Sequence, residues 1–333
     1  EINGEKFVSG DSFFIPCGEE FSVSGNATAI LTTENTLKYY AGIDLGGTGI
    51  KCGIVDENGK IVAIKKCPTR KGVEAKEILL DMASLVKDLQ TETGLTLEGV
   101  GVGCPGLIDT EKGNVVYSNN LAWKNVPLIK TLKEELNLPV YVTNDANAAA
   151  LGELRSGAGA GCDDFLCLTY GTGVGGSIVM NGSVYPGASF SAGSFGGMVI
   201  HPEEKAGTDS LEGCYERCAS TTGLVRRVKK VDGSLDNGKK IFAAKDRPEI
   251  KEQIDAWIDD ICTGLVTLCC IFNPSRIILG GGIMAQEYVL LEVNRKVKAQ
   301  IAPGLRIVEI VPAKLANTAG MMGAVSLAEK LLA

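Results

Sequence analysis

Residues 40–66, YAGIDLGGTGIKCGIVDENGKIVAIKK, limit the possible fold more than any other stretch. An apolar run of strand formers ends in Asp44. Gly46, Gly47, Thr48 and Gly49 then make a turn, and a second apolar run passes through Glu57-Asn58-Gly59 into a third. The pattern predicts three antiparallel strands joined by two tight turns. Glycines at the first turn carry no side chains, so backbone N–H groups can approach a phosphate, and the Thr48 hydroxyl and Lys51 ammonium can add polar contacts. Asp44, at the end of the first strand, can hold a hydrated divalent cation against the same phosphates. Alone, Gly-Gly-Thr-Gly also fits an ordinary hairpin turn.

A second copy strengthens the nucleotide reading. Residues 164–185, DFLCLTYGTGVGGSIVMNGSVY, repeat the plan of apolar strand, Gly171-Thr172-Gly173, apolar strand, Asn181-Gly182 turn and short strand. Two facing phosphate hairpins imply a duplicated, two-lobed nucleotide clamp. Gly171, Gly173 and Gly176 formally satisfy the dinucleotide fingerprint, but that motif requires a helix to open at its last glycine. SIVMNGSVY follows instead, which is hairpin sequence, so a Rossmann site is not expected.

With 333 residues, 45 % of them hydrophobic, the chain can hold about two globular domains. A formal charge of −7 provides no basic footprint, so nucleic acid and anionic membrane are poor partners. No apolar stretch approaches the ~20 residues of a membrane span, and a cytoplasmic protein is expected. The 11 cysteines sit in apolar runs such as ICTGLVTLCCIF, which favours reduced, buried thiols over a disulfide framework. Cys214 and Cys218 are the nearest approach to a metal pair. No second pair exists and the single histidine, His201, is 13 positions upstream of Cys214, so no zinc site is expected. Asn26-Ala27-Thr28 is read as a chance glycosylation match.

Residues 1–33 read as short β segments broken by turn residues, which would be too few to close a sheet alone. GDSFFIPCGEEFSVSGNATAILTT resembles the last cupin strands of a type I mannose-6-phosphate isomerase. Residues 1–38 are thus expected to be an isomerase remnant plus linker, without isomerase activity. Residues 39–143 and 318–333 are expected to form the first α/β lobe and 144–317 the second. EAKEILLDMASLVKDLQ and LANTAGMMGAVSLAEKLL have the spacing of amphipathic helices, as do 249–272 and 285–300.

Two stretches suit a sugar and its activation. GNVVYSNNLAW reads as a strand ending in Asn119, Asn120 and Trp123, whose amides and aromatic face could meet hydroxyls, although an ordinary turn fits as well. In LPVYVTNDANAAALGEL a β-branched strand delivers Asn144 and Asp145 to an alanine-rich helix. Both are favoured N-caps. Asp145 can also accept the proton of an attacking hydroxyl, and the two roles are compatible because a capping carboxylate is held rigidly. Downstream, Glu216 opens a predicted helix, and Gly280, Gly281 and Gly282 after the strand RIILG would allow close approach of an adenine or ribose.

Taken together, DLGGTGIK, GCPGLID with NNLAW, TNDANAAALGE, YGTGVGGS, GCYE-x-x-AS, LGGG and NTAGMMGA resemble the ROK family of sugar kinases, in family order over about residues 39–333. The resemblance implies a two-lobed actin-like ATPase fold of duplicated ribonuclease H-like α/β type, here with a short β-rich N-terminal segment. ATP and sugar would lie in the cleft, Mg²⁺ would be required, and a homodimer is usual. By the same resemblance Asp44, Gly46, Gly47, Thr48, Gly171, Thr172 and Gly173 bind phosphates, and Gly281 and Gly282 line the adenosine pocket. Asp145 is then the base, while Gly106, Asn120, Asn144 and Glu216 hold the sugar. No helix-turn-helix precedes this part, which disfavours the repressor branch. The departure is at Ser194-Phe195-Gly196-Gly197, where the family usually has Glu-Ile-Gly-His followed by a four-cysteine zinc loop of which only Cys214 remains. Because that histidine touches sugar and zinc together, its loss with the loop is chemically coherent. Ser194 would then face the sugar, and weaker binding or another substrate should follow. The expected activity is phosphorylation of a sugar hydroxyl, the 6-hydroxyl of mannose, fructose or glucose. The rivals are a sugar-binding regulatory module and an ATPase acting on protein partners.

Overall fold

The computed structural model describes residues 37–204 and 211–332. The expected isomerase remnant therefore lies outside the described residues. Two sheets dominate. The first runs β3-β2-β1-β4-β8, from β1 (Tyr39–Leu45), β2 (Gly49–Asp56), β3 (Ile61–Pro68), β4 (Gly99–Cys104) and β8 (Val140–Asn144). Its β1–β2–β3 meander is antiparallel, and β1, β4 and β8 are parallel. Between β4 and β8 a small sheet of β5 (Leu107–Asp109), β6 (Asn114–Ser118) and β7 (Trp123–Val126) is inserted.

The second sheet repeats the first. Its order is β11-β10-β9-β12-β13, from β9 (Phe165–Tyr170), β10 (Val174–Met180), β11 (Ser183–Val184), β12 (Arg276–Gly280) and β13 (Glu309–Pro312). Again a hairpin is followed by two parallel strands, β12 added to its first strand β9 and β13 added to β12. The parallel strands are joined by helices because a parallel crossover needs a long return path. In the first half these are α1 (Ala75–Thr93) and α2 (Leu128–Leu136), which end at left-handed Gly94 and Asn137. In the second half α4 (Tyr215–Ala219), α5 (Thr221–Lys229), α6 (Gly238–Ala243) and α7 (Pro248–Phe272) precede β12, and α8 (Glu287–Gln300) precedes β13. Pro248 starts α7, where its missing N–H costs nothing.

Each sheet carries its own core. Ile43, Ile54, Leu79, Val86 and Val102 belong to the first, and Leu168, Tyr215, Trp257, Ile261 and Leu279 to the second. No helix among the described residues is long and apolar enough to cross a membrane. The described cysteines carry free thiols, buried except for Cys67, which is half-buried, and exposed Cys270.

Two helices lie between the sheets. α3 (Asp145–Ser156) follows β8 directly and packs on β9 and β10, whereas α9 (Ala319–Leu332) packs on β1 and β4. They cross at van der Waals contact because small residues leave their backbones bare. A Cβ on Gly323 would stand 1.6 Å from the Ala148 carbonyl oxygen, and one on Gly152 would stand 2.3 Å from that of Ala319. On the other face of α9, a Cβ on Gly101 would lie 1.7 Å from the Ala324 oxygen. The C-terminal helix begins at Ala319, later than the apolar spacing suggests, since 316–318 form a separate short turn.

Glu153 joins α3 to the chain that leads into α9. It is fully buried and accepts hydrogen bonds from Ala158 N at 2.6 Å, Lys314 N at 3.1 Å and Leu315 N at 2.8 Å. Glu153→Ala strands these donors, each at about 1–3 kcal/mol, so a loss of roughly 3 kcal/mol or more is expected. A lowered urea midpoint at unchanged m would report it.

Candidate active site

Both glycine turns are closed by a backbone hydrogen bond, the first across four residues and the second across three. At the first, Gly46 N donates to Gly49 O at 2.9 Å; at the second, Gly171 N donates to Gly173 O at 3.0 Å. A threonine from a neighbouring segment then ties each turn by its carbonyls. Thr69 donates its N–H to Thr48 O and its hydroxyl to Gly46 O, at 3.2 and 2.6 Å. Thr221 donates its N–H to Gly171 O at 3.0 Å and its hydroxyl to Tyr170 O at 3.4 Å. Among the described residues the N–H groups of Gly47, Thr48 and Thr172 take no partner, and so remain available to an anion. Sequence reasoning missed both threonines, since nothing in their local spacing marks them.

Strand register assembles the acidic side of the site. Asp44 pairs with Gly103 across β1–β4, and Cys104 pairs with Asn144 across β4–β8. Asp44, Pro105-Gly106 and Asn144-Asp145 therefore emerge from the same end of three adjacent parallel strands, the end at which open α/β sheets bind ligands. Asn144 caps α3 by accepting from Ala146 N at 2.8 Å, and its amide donates to Gly106 O at 2.9 Å. Gly106 has φ +121°, and a Cβ there would meet the Tyr117 oxygen at 2.3 Å, so glycine is required.

Asp145, the first residue of α3, is itself exposed to solvent, but protein crowds around it. Burial pushes its carboxyl above the ordinary range; the Ala146 N–H opposes the shift and the Asp44 charge reinforces it. Lys51 reaches Asp44 Oδ2 at 3.5 Å and also donates to the Asn317 carbonyl, so its ammonium sits between Asp44 and the start of α9. Gly320 closes over the same carboxylate, for a Cβ there would lie 2.9 Å from Asp44 Cγ.

The remaining candidates fall into two groups. Asn120 is exposed beside the first turn, its Cβ 3.6 Å from where a Cβ on Gly47 would stand. Trp123, expected to offer an aromatic face, is instead 4 % exposed and belongs to the first core. The expected single strand is broken by a turn at 119–122, so that Trp123 starts β7 pointing inward. Around the second turn, Glu216 Oε2 accepts from Val174 N at 3.1 Å and would touch a Cβ on Gly173 at 2.0 Å. The loop carrying Ser194 rests on β10 and α4: Phe195 covers Gly176, and a Cβ on Gly196 would meet Glu216 Cβ at 3.1 Å. Ser194 is exposed and donates to Ser191 O. Gly281, with φ +102°, packs against the Tyr170 backbone, which brings the end of β12 to the second turn; Gly282 beside it is exposed. The two groups meet where Gly175 faces Ala146, the residue after Asp145.

Paired sheets of repeated topology, with a glycine turn on each and helices crossing between them, define the actin-like ATPase fold. The chain belongs to the ROK family, whose model matches residues 40–331. It is 35 % identical to a glucokinase of Halalkalibacterium halodurans over 308 residues, covering 86 % of this chain and 93 % of that protein. It is likewise 35 % identical to a beta-glucoside kinase of Listeria monocytogenes, covering 86 % and 95 %. Among solved structures, a ROK glucokinase from Streptomyces griseus in complex with glucose and AMPPNP superposes with a TM-score of 0.74 at 32 % identity, covering 88 % of this chain and 99 % of that one.

Proposed function

We propose that this protein is an ATP-dependent hexose kinase that phosphorylates a sugar hydroxyl, the 6-hydroxyl of mannose, fructose or glucose, with Asp145 as general base. The observation that carries the reading is Asp145 near Asp44 at the shared end of β8 and β1, next to Ala146, which faces Gly175 of β10, the strand that leaves the second glycine turn. In the proposed reaction the sugar oxygen forms a bond to the γ-phosphorus as the bond to the β,γ-bridging oxygen breaks. Asp145 takes the hydroxyl proton and ADP leaves. The N–H groups of Gly47, Thr48 and Thr172 would hold phosphate oxygens, and Gly281 and Gly282 would admit the adenosine. Gly106, Asn120, Asn144, Ser194 and Glu216 would hold the sugar. Asp44 fits Mg²⁺ held through water, since its carboxylate is half-exposed at the cleft; the ion, when bound, would neutralise phosphate charge. A homodimer and the lobe boundaries near residues 143 and 318 belong to the same reading.

The test is ADP release against a panel of hexoses, with sugar-independent hydrolysis as the background. A second reading, a sugar-binding regulatory module without turnover, is favoured by Ser194 and Gly197 replacing the glutamate and histidine usual in the family. Calorimetry that finds sugar binding with no product in any arm of the panel would select it.

In this reading Glu216 would serve both substrates, because its carboxylate braces the second turn from beside the Ser194 loop. Glu216→Ala is therefore expected to raise KM for ATP and for sugar together. At about 1.5–3 kcal/mol for a hydrogen bond to a charged group, the combined change is roughly ten- to a hundredfold. Steady-state kinetics in both substrates separates this from a purely sugar-side defect.

A further inference from the structure

His201, Cys218 and Asp260 come from three separate elements, the segment after the Ser194 loop, α4 and α7, yet their ligand atoms lie within 4.8 Å of one another. Cys218 and Asp260 are buried, at 7 % and 5 % exposure, and His201 is half-buried. The two candidate ligand atoms His201 Nε2 and Asp260 Oδ1 face each other at 2.8 Å, and the atoms that would not bind an ion are already held, His201 Nδ1 by Glu203 Oε1 at 3.0 Å. Arg227 holds the other Asp260 oxygen, Oδ2, at 2.5 Å. A carboxylate behind the imidazole and a guanidinium behind the aspartate are the outer contacts that orient ligands in metal sites.

We propose that His201, Cys218 and Asp260 bind a single Zn²⁺-class cation, through residues other than the histidine and cysteines of the family's zinc loop. Imidazole, thiolate and carboxylate form a mixed nitrogen, sulfur and oxygen set that suits zinc and discriminates against Mg²⁺ and Ca²⁺. Tetrahedral zinc with bonds of about 2.0–2.3 Å spaces its ligands roughly 3.3–3.8 Å apart. No pair must close by more than about 1 Å, and the His201–Asp260 pair must open by about 0.5 Å, within side-chain rotation on this scale. Binding displaces two protons to solvent, one from the Cys218 thiol and one from His201 Nε2, and converts the direct His201–Asp260 hydrogen bond into two metal bonds, while Nδ1 keeps its proton toward Glu203. The fourth position falls to water or to Glu204, whose charge reaches both His201 and Cys218.

The ion would pin the loop bearing Ser194 and the short helix bearing Glu216 to α7, independently of catalysis. Chelator-stripped protein titrated with Co²⁺ is expected to take up one equivalent per chain with a sulfur-to-cobalt charge-transfer band. Zn²⁺ should displace the Co²⁺ and raise the melting temperature. Cys218→Ala should abolish the band, and His201→Gln should weaken Zn²⁺ binding roughly ten- to a hundredfold. Cys270→Ser, at the exposed cysteine, should change neither. No stoichiometric Co²⁺ uptake by the wild-type chain overturns the site, as does a band that survives Cys218→Ala. If Cys218→Ala fails to fold, Cys218→Ser is read in its place by the same band.

Discussion

Asp145→Asn is expected to lower kcat for sugar phosphorylation by roughly 10²- to 10⁴-fold, the usual contribution of a positioned general base. KM for sugar and ATP should change little, because the amide keeps the size of the side chain and can still accept from Ala146 N, 3.0 Å from Asp145 Oδ1. Two further measurements make the result specific to this carboxylate. Its proton affinity is raised, first by burial and further by Asp44. The base is active only when ionised, so the acid limb of kcat/KM should lie at higher pH than an ordinary aspartate would give, with activity lost as pH falls through it. The linkage runs the other way for stability. A carboxyl whose folded pKa is raised above its unfolded value binds its proton more tightly in the folded state, so it costs stability as pH rises through that window. At neutral pH the Asn variant should therefore melt no lower than the wild type. Sugar-dependent turnover that survives the substitution would remove Asp145 from its role, whereas a variant that is inactive because it has unfolded would be identified by its melting curve.

The second large effect is structural. Gly323→Ala places a methyl group 1.6 Å from the Ala148 carbonyl oxygen, at the crossing of α3 and α9. Backbone cannot rotate away as a side chain can, so the helices must separate. Overpacking of a rigid contact costs about 1–3 kcal/mol and occasionally more, and a backbone clash of this depth belongs at the upper end. The displacement also reaches the site: α3 begins at Asp145, and α9 begins beside Asp44 through Gly320. The variant is expected to lose both urea stability and turnover, unlike Asp145→Asn, which should lose turnover alone. Gly304→Ala is the control. A Cβ there meets nothing within 4 Å and the residue is exposed, so its effect should stay within about 0.5 kcal/mol. Unchanged urea midpoints for both variants would contradict the close packing of the two helices.

Much of the architecture was legible along the chain. The hairpins over 40–66 and 164–185 follow from alternating or continuous apolar runs broken by Gly-rich turns, and the duplication follows from finding that pattern twice. The Asn144 cap and the start of α3 were equally readable, since a cap depends on side chains within three residues of one another. The reading of Trp123 shows where such local inference stops. An aromatic residue after two asparagines fits a sugar platform and a core anchor alike, and only the break between β6 and β7 turns the ring inward.

Local order in this protein, meaning which residues turn, which extend and which coil, was determined by the sequence itself, because these choices rest on periodicity and on glycine, asparagine and proline acting over a few residues. What the tertiary structure alone decided is adjacency. Placing β4 between β1 and β8 sets Asp44, Gly106 and Asn144 side by side, and the return of α9 brings Gly320 onto Asp44. Packing of α7 against α4 carries Asp260 to Cys218 and His201, and the approach of α4 to β10 turns Glu216 onto Val174. These neighbours are tens to hundreds of residues apart in the chain. They are selected by burial of apolar faces, a non-directional force that specifies which surfaces meet without leaving a mark at the polar residues it brings together.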